Sequence, residues 1–197
     1  MNMRLYTPGI LELYVGPMYS GKTQMLALRL DRFQHQSNYG YIAFKPRVDN
    51  RHEGDITKTR YNNISLDTVV LDSDNPGKIL EMDLPRVVAF DEMQFFDDSI
   101  VDAVVTLMRK DYHVIGTALD LDFRGELFGP VGRLMANAND VYKLTAVCHS
   151  CGSEGTRTQR LINGSPASYN EPIVRIEGKD SKETYECRCL DCHIVPR

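Results

Sequence analysis

The octet Gly16-Pro17-Met18-Tyr19-Ser20-Gly21-Lys22-Thr23, set directly after the apolar run Ile10-Leu11-Glu12-Leu13-Tyr14-Val15, constrains this chain more than any other feature. It fits the phosphate-binding pattern G-x-x-x-x-G-K-[ST], which is meaningful between a strand and a helix. The glycines let successive backbone N–H groups turn inward toward a polyphosphate. Lys22 is then expected to reach the β- and γ-phosphates, and Thr23 to offer its hydroxyl to Mg²⁺. The following stretch, Gln24 to Phe33, lacks Gly and Pro and carries Leu26, Leu30 and Phe33 at i, i+4, i+7. That spacing predicts a helix whose N-terminus faces the anion. A nucleotide-binding α/β fold is the expectation.

The 197 residues leave room for one core domain and a small appendage. The first three-quarters alternate apolar strands with amphipathic helices, the pattern of a parallel sheet covered by helices. Strands are expected at Tyr41 to Lys45, Val69 to Leu71, Val87 to Phe90 and Tyr112 to Ala118. Helices are expected near Lys78 to Met82 and from Ser99 to Arg109, while the polar stretch from Pro46 to Asn63 reads as a long lid-like loop. Beyond Leu144 the periodicity disappears, and Cys pairs, Gly and Ser take over. A net charge of −4 argues against broad electrostatic attraction to nucleic acid or an anionic membrane. No apolar run approaches the roughly twenty residues that span a bilayer. The N-terminal residues lack a secretory pattern, so the cytoplasm is the expected location.

Val87-Val88-Ala89-Phe90 ends in Asp91-Glu92, and the end of a strand is where such sheets carry their chemistry. In phosphate-loop proteins an acid here holds Mg²⁺, the role expected of Asp91. Glu92 is then a candidate base for the proton of an attacking hydroxyl. The plainer alternative makes Asp91 the N-cap of the next helix.

All five cysteines lie at or after position 148. Cys148-His149-Ser150-Cys151 and Cys189-Leu190-Asp191-Cys192 are two C-x-x-C knuckles, which together suit a closed, structural Zn²⁺ site. The 37 residues between them exceed a compact ribbon, so the metal would tie the base of a long loop. Cys187, His149 and His193 read as spectators beside that site.

These residues converge on a family. The chain resembles the type II, cytosolic-type thymidine kinases through Gly16 to Thr23, Asp91 to Phe96, Gly116 to Gly125, Phe128-Gly129-Pro130 and both knuckles. The resemblance implies a P-loop, RecA-like parallel sheet over residues 1–143. A zinc-ribbon or lasso domain over residues 144–197 would close over the nucleoside. It implies transfer of the γ-phosphoryl group of ATP to the 5′-hydroxyl of thymidine or deoxyuridine, a pyrimidine deoxynucleotide salvage reaction. On it, Glu92 matches the general base, and Gly16, Pro17, Met18, Tyr19, Ser20, Gly21, Lys22 and Thr23 match the triphosphate cradle. Asp91, Glu92, Met93 and Gln94 match the Mg²⁺ and nucleotide contacts, with Thr23 and Asp91 as the Mg²⁺ ligands. Asp49 and Arg51 match an Asp-x-Arg beside the phosphates and sugar. Met18, Phe95, Leu119 and Phe123 match the walls of the thymine and ribose pocket, and Thr158, Val174, Arg175, Ile176 and Tyr185 match the lasso contacts. Homotetramers inhibited by thymidine triphosphate are the family's habit and are carried over as expectations.

Two rivals remain at this level. One is a phosphate-loop ATPase or another nucleoside kinase with a structural zinc ribbon. The other is a zinc-ribbon nucleic-acid module with a regulatory nucleotide site. Against the second, Arg157, Arg160, Lys179 and Lys182 are diluted by six nearby acids between Glu154 and Glu186.

Overall fold

The structure, a computed structural model, describes residues 6–34, 40–47, 56–58, 65–174 and 183–197. Asp49, Arg51, Arg175 and Ile176 therefore lie outside the described residues. In chain order the elements are β1 (Ile10–Val15), α1 (Lys22–Gln34), β2 (Tyr41–Pro46), β3 (Ile56–Lys58), β4 (Ser65–Asp67), β5 (Val69–Leu71), β6 (Val87–Phe90), α2 (Ser99–Arg109), β7 (His113–Ala118), α3 (Val131–Asn137) and β8 (Asp140–Lys143). After them come β9 (Ala146–Val147), β10 (Glu154–Gly155), β11 (Arg157–Ile162), β12 (Ser165–Pro166) and β13 (Glu183–Arg188). Among the described residues no helix is long and apolar enough to cross a membrane.

Six strands form one sheet in the order β5-β2-β6-β7-β1-β8, and every neighbouring pair is parallel. β7 separates the phosphate-loop strand β1 from the acid-bearing strand β6, the RecA-like arrangement. Alternation sorts the side chains. Leu11, Leu13, Val15, Val88, Phe90 and Val114 face α2 and α3, packing on Ile100, Val104, Leu107 and Leu134. Tyr14, Ala43, Val87, Ala89 and Ile115 face α1, packing on Leu26, Leu30 and Phe33. Strands buried on both faces read as continuous apolar runs, which is how β1, β6 and β7 read.

One run is interrupted for a reason. Glu12 of β1 is 1% exposed, and its carboxylate accepts two hydrogen bonds from Arg29 of α1, from Nε and Nη2, each at 2.9 Å. His113 Nε2 donates to the same carboxylate at 2.9 Å, because its Nδ1 accepts the Thr7 N–H at 3.1 Å. Burial pushes the Glu12 carboxyl up, but the bonds from Arg29 and His113 outweigh it and hold it down to about 2. The neighbouring Tyr14 phenol is pushed up to about 12 by burial and by the Glu12 carboxylate.

Several expectations change. The short helix expected near Lys78 to Met82 is a 3₁₀ helix, Pro76–Glu81, with Met82 at its C-cap. The long loop is not wholly irregular, since β3 pairs antiparallel with β4. The helix α3 and the sixth strand β8 had no counterpart in the sequence reading. Past β8 the chain turns to short antiparallel pieces: β9 pairs with β10, and β11 is flanked by β12 and β13.

Candidate active site

The carboxyl ends of β1, β6 and β7 converge, bringing the phosphate loop, the acid pair and Leu119 together. Gly16 opens the loop at φ +149°, and an added Cβ would lie 2.3 Å from the Leu144 carbonyl oxygen, so only glycine fits. Gly21, at φ +80°, turns the chain into α1. Polar groups of the loop bond one another. Lys22 Nζ donates to the Pro17 carbonyl at 2.7 Å, and Ser20 Oγ donates to the same oxygen at 2.8 Å. The Gly16 N–H is used by Ala118, and the Met18 N–H donates to Thr158 Oγ1 at 3.1 Å. Two of the loop's N–H groups are thus bonded within the protein.

Thr23 Oγ1 lies 3.2 Å from both carboxylate oxygens of Asp91. Two adjacent ligands of an octahedral Mg²⁺, each at about 2.1 Å, are about 3 Å apart, so this hydroxyl and carboxylate fit that ion. Asp91 is 1% exposed and is not a helix cap. The short 3₁₀ turn Met93–Phe95 is entered through Glu92, which adopts the left-handed region at φ 57° without a side-chain cap bond. The plainer capping alternative for Asp91 is therefore set aside.

Thr117 of β7, fully buried, had no role in the sequence reading although it lies inside one of the runs that carried the resemblance. Its single hydroxyl proton goes to Asp91 Oδ1, which leaves a lone pair to accept the Glu92 N–H at 3.2 Å. One side chain thus fixes both the carboxylate and the strained backbone of its neighbour. A polar residue interrupting an apolar strand beside the acid strand was the available signal. Gln94 acts from the other side: its Nε2 donates to Glu92 Oε2, and its Oε1 accepts the Leu119 N–H at 3.0 Å. In this structure Gln94 therefore braces Glu92.

Of the remaining candidates, Met93 is fully buried and packs in the α2-side core. Phe95 meets Phe128 edge-on at 5.5 Å. The Phe123 carbonyl accepts His193 Nε2 at 2.9 Å, and Arg160 Cζ lies 5.1 Å from the Phe123 ring centroid. Tyr19 Oη donates to the Tyr185 carbonyl at 2.9 Å. Val174 is 46% exposed. Arg160, read from sequence as part of a diluted basic stretch, is fully buried. It binds the Pro172 carbonyl and the Glu183 carboxylate, each at 2.6 Å, clamping both limbs of the segment between them.

The sulfurs of Cys148, Cys151, Cys189 and Cys192 all lie within 4.8 Å of one another, with Cys151 and Cys189 at 3.7 Å. Zn–S bonds of about 2.3 Å in a tetrahedron put sulfurs about 3.8 Å apart, so the four thiols fit a Zn²⁺ ion. Burial pushes the Cys148 thiol up, but backbone N–H groups of Cys189, Cys151 and Ser150 hold it down to about 6. Hydrogen bonds that the Cys192 S–H donates to the sulfurs of Cys189 and Cys151 favour its protonated form and push it up to about 12. The three spectators are accounted for separately. Cys187 is buried against Gly155, where an added Cβ would lie 2.3 Å from its sulfur. His149 Nδ1 accepts the Cys187 N–H at 3.3 Å, and His193 is engaged with Phe123.

Among solved structures the chain is similar to the X-ray structure of the Legionella pneumophila ATPase DotB, at 15% sequence identity and a TM-score of 0.41. That match covers 68% of this chain and 35% of the other, so the chain spans about a third of that protein. The family model described as Thymidine kinase matches residues 9–193, from just before β1 to just past the second cysteine knuckle, and the chain belongs to the thymidine kinase family.

Proposed function

We propose that the chain is an ATP-dependent thymidine kinase that transfers the γ-phosphoryl group to the 5′-hydroxyl of thymidine or deoxyuridine. The observation that carries this reading is the contact of Thr23 with Asp91 at 3.2 Å, with Glu92 the next residue, at the mouth of a phosphate loop. Lys22 leaves the Pro17 carbonyl and takes up the β- and γ-phosphate oxygens. Thr23 and Asp91 hold Mg²⁺, which when bound neutralises charge developing on the phosphates. Glu92 accepts the proton of the 5′-hydroxyl as the new O–P bond forms and the bond to the β-phosphate oxygen breaks, releasing ADP. Gln94 Nε2, donating to Glu92 Oε2, orients the carboxylate for that transfer.

In this reading Met18, Phe95, Leu119 and Phe123 wall the thymine and ribose. Asp49 and Arg51 serve the phosphates and sugar, and Thr158, Val174, Arg175, Ile176 and Tyr185 supply contacts from the loop that closes on the nucleoside. Two functional units divided at 143/144, a structural Zn²⁺ on the four cysteines, a cytoplasmic homotetramer and inhibition by thymidine triphosphate complete the proposal. The test is ADP release with Mg²⁺ and ATP in the presence of thymidine, deoxycytidine or deoxyguanosine. Release that depends on thymidine and yields its monophosphate is expected; release indifferent to thymidine refutes the reading.

A further inference from the structure

The phosphate loop is bound to the far end of the chain at two consecutive residues. The Met18 N–H donates to Thr158 Oγ1 at 3.1 Å across 140 residues, and Tyr19 Oη donates to the Tyr185 carbonyl at 2.9 Å across 166. Thr158 lies on β11 and Tyr185 on its antiparallel partner β13, paired through Thr158↔Cys187 and Arg160↔Tyr185. Thr158 is 3% exposed, so its hydroxyl is held in a packed setting. Tyr19 adopts φ 68°, a conformation that a side-chain-bearing residue keeps only when its surroundings impose it. Those surroundings include the His149 ring at 5.5 Å.

The carbonyl of the same Pro17–Met18 peptide accepts Lys22 Nζ at 2.7 Å. A peptide is planar, so the oxygen that meets the phosphate-seeking lysine and the N–H that meets Thr158 move as one body. We propose that this peptide and Tyr19 couple the triphosphate and nucleoside half-sites, so that filling one tightens binding at the other, with Tyr19 as the positioning residue. The proposal rests on the reading above, in which β11 and β13 frame the nucleoside. A triphosphate that fixes residues 17–19 also fixes Thr158 and Tyr185 through the two bonds. The nucleoside then meets a partner already ordered, and by reciprocity the nucleoside prepares the loop for the triphosphate.

The test is calorimetric titration of the full chain with thymidine, alone and with saturating Mg²⁺ and a non-hydrolysable ATP analogue. Two neutral hydrogen bonds support coupling at the low end of the usual range, so wild type is expected to bind thymidine about five- to tenfold tighter with the analogue. Tyr19→Phe keeps the ring and removes the hydroxyl, and its ratio is expected to fall below about twofold. Thr158→Val should lower the ratio as well, and Thr158→Ser should restore it. The ratio is taken within one variant, so a uniform loss of affinity cancels. If Thr158→Val does not fold, Tyr19→Phe decides alone. Wild type that binds no thymidine under either condition overturns the functional reading and the coupling with it. Thymidine binding with a ratio of one, or an undiminished ratio in Tyr19→Phe, overturns the coupling alone.

Discussion

Replacing Glu12 by Gln is the sharpest test of how the sheet tolerates a charged residue in its central layer. Glu12 is 1% and Arg29 0% exposed, so the variant leaves a guanidinium buried without its counter-charge. It also turns an amide NH₂ toward that guanidinium, because Arg29 donates to both carboxylate oxygens and only one of them remains a carbonyl. Breaking one side of such a pair costs about 3–5 kcal/mol. A second route gives a similar size. The carboxyl is held at about 2 against an ordinary 4.5, and at about 1.4 kcal/mol per unit that difference is worth about 3 kcal/mol. The folded-state value is depressed, so this stabilisation is complete above pH 4.5 and is lost as pH falls toward 2. Urea unfolding of wild type and Glu12→Gln, followed by circular dichroism, measures it. A gap of about 3 kcal/mol is expected at neutral pH, shrinking to about half near pH 3 as the carboxyl of the unfolded wild-type chain takes up its proton while the folded one stays ionised. Arg29→Met added to Glu12→Gln removes the stranded charge and should recover most of the loss. A variant within about 0.5 kcal/mol of wild type at neutral pH, or a gap that does not change on acidification, refutes the argument.

Glu92→Gln should retain nucleotide binding and lower turnover by about 10²–10⁴-fold in a coupled ADP assay; near-normal turnover removes Glu92 as the base. Metal analysis should find one Zn²⁺ per chain, kept in Cys187→Ser and lost in Cys189→Ser, and the opposite pattern would reassign the ligands. Thr117→Val removes the proton given to Asp91 and strands the Glu92 N–H, so kcat should fall and the Mg²⁺ concentration for half-maximal activity should rise. Thr117→Ser should restore both, and an unchanged Mg²⁺ requirement in Thr117→Val would reduce Thr117 to simple packing.

What was legible in the chain was what is local. The phosphate loop, α1 and the acid pair are each declared within about ten residues by glycine placement, helical spacing or an apolar run ending in charge. β8 was not, because Asp140-Val141-Tyr142-Lys143 alternates over only four residues at a sheet edge and acquires its meaning from pairing with β1. The seven-residue α3 is too short for its spacing to stand out. Glu12 was absorbed into an apolar run because its two partners lie 17 and 101 residues away. Thr117 and Arg160 were missed for the same reason: a threonine in a strand and an arginine near acids are ordinary until the fold supplies what they touch. The knuckles were readable despite their wide separation because C-x-x-C is itself a local sign.

The bonds that the phosphate loop makes to itself set the terms on which an anion can bind there. Lys22 already holds the Pro17 carbonyl oxygen at 2.7 Å, and Ser20 Oγ donates to the same oxygen at 2.8 Å. An incoming anion must therefore compete with bonds the protein makes to itself. Lone orthophosphate or sulfate offers oxygen over a short span and trades one hydrogen bond for another with little gain. A polyphosphate brings oxygens along its length and a metal ion to meet Thr23 and Asp91 together. The loop's own bonds thus set a threshold that a metal-bearing polyphosphate, meeting several groups at once, is better placed to cross than a single small anion.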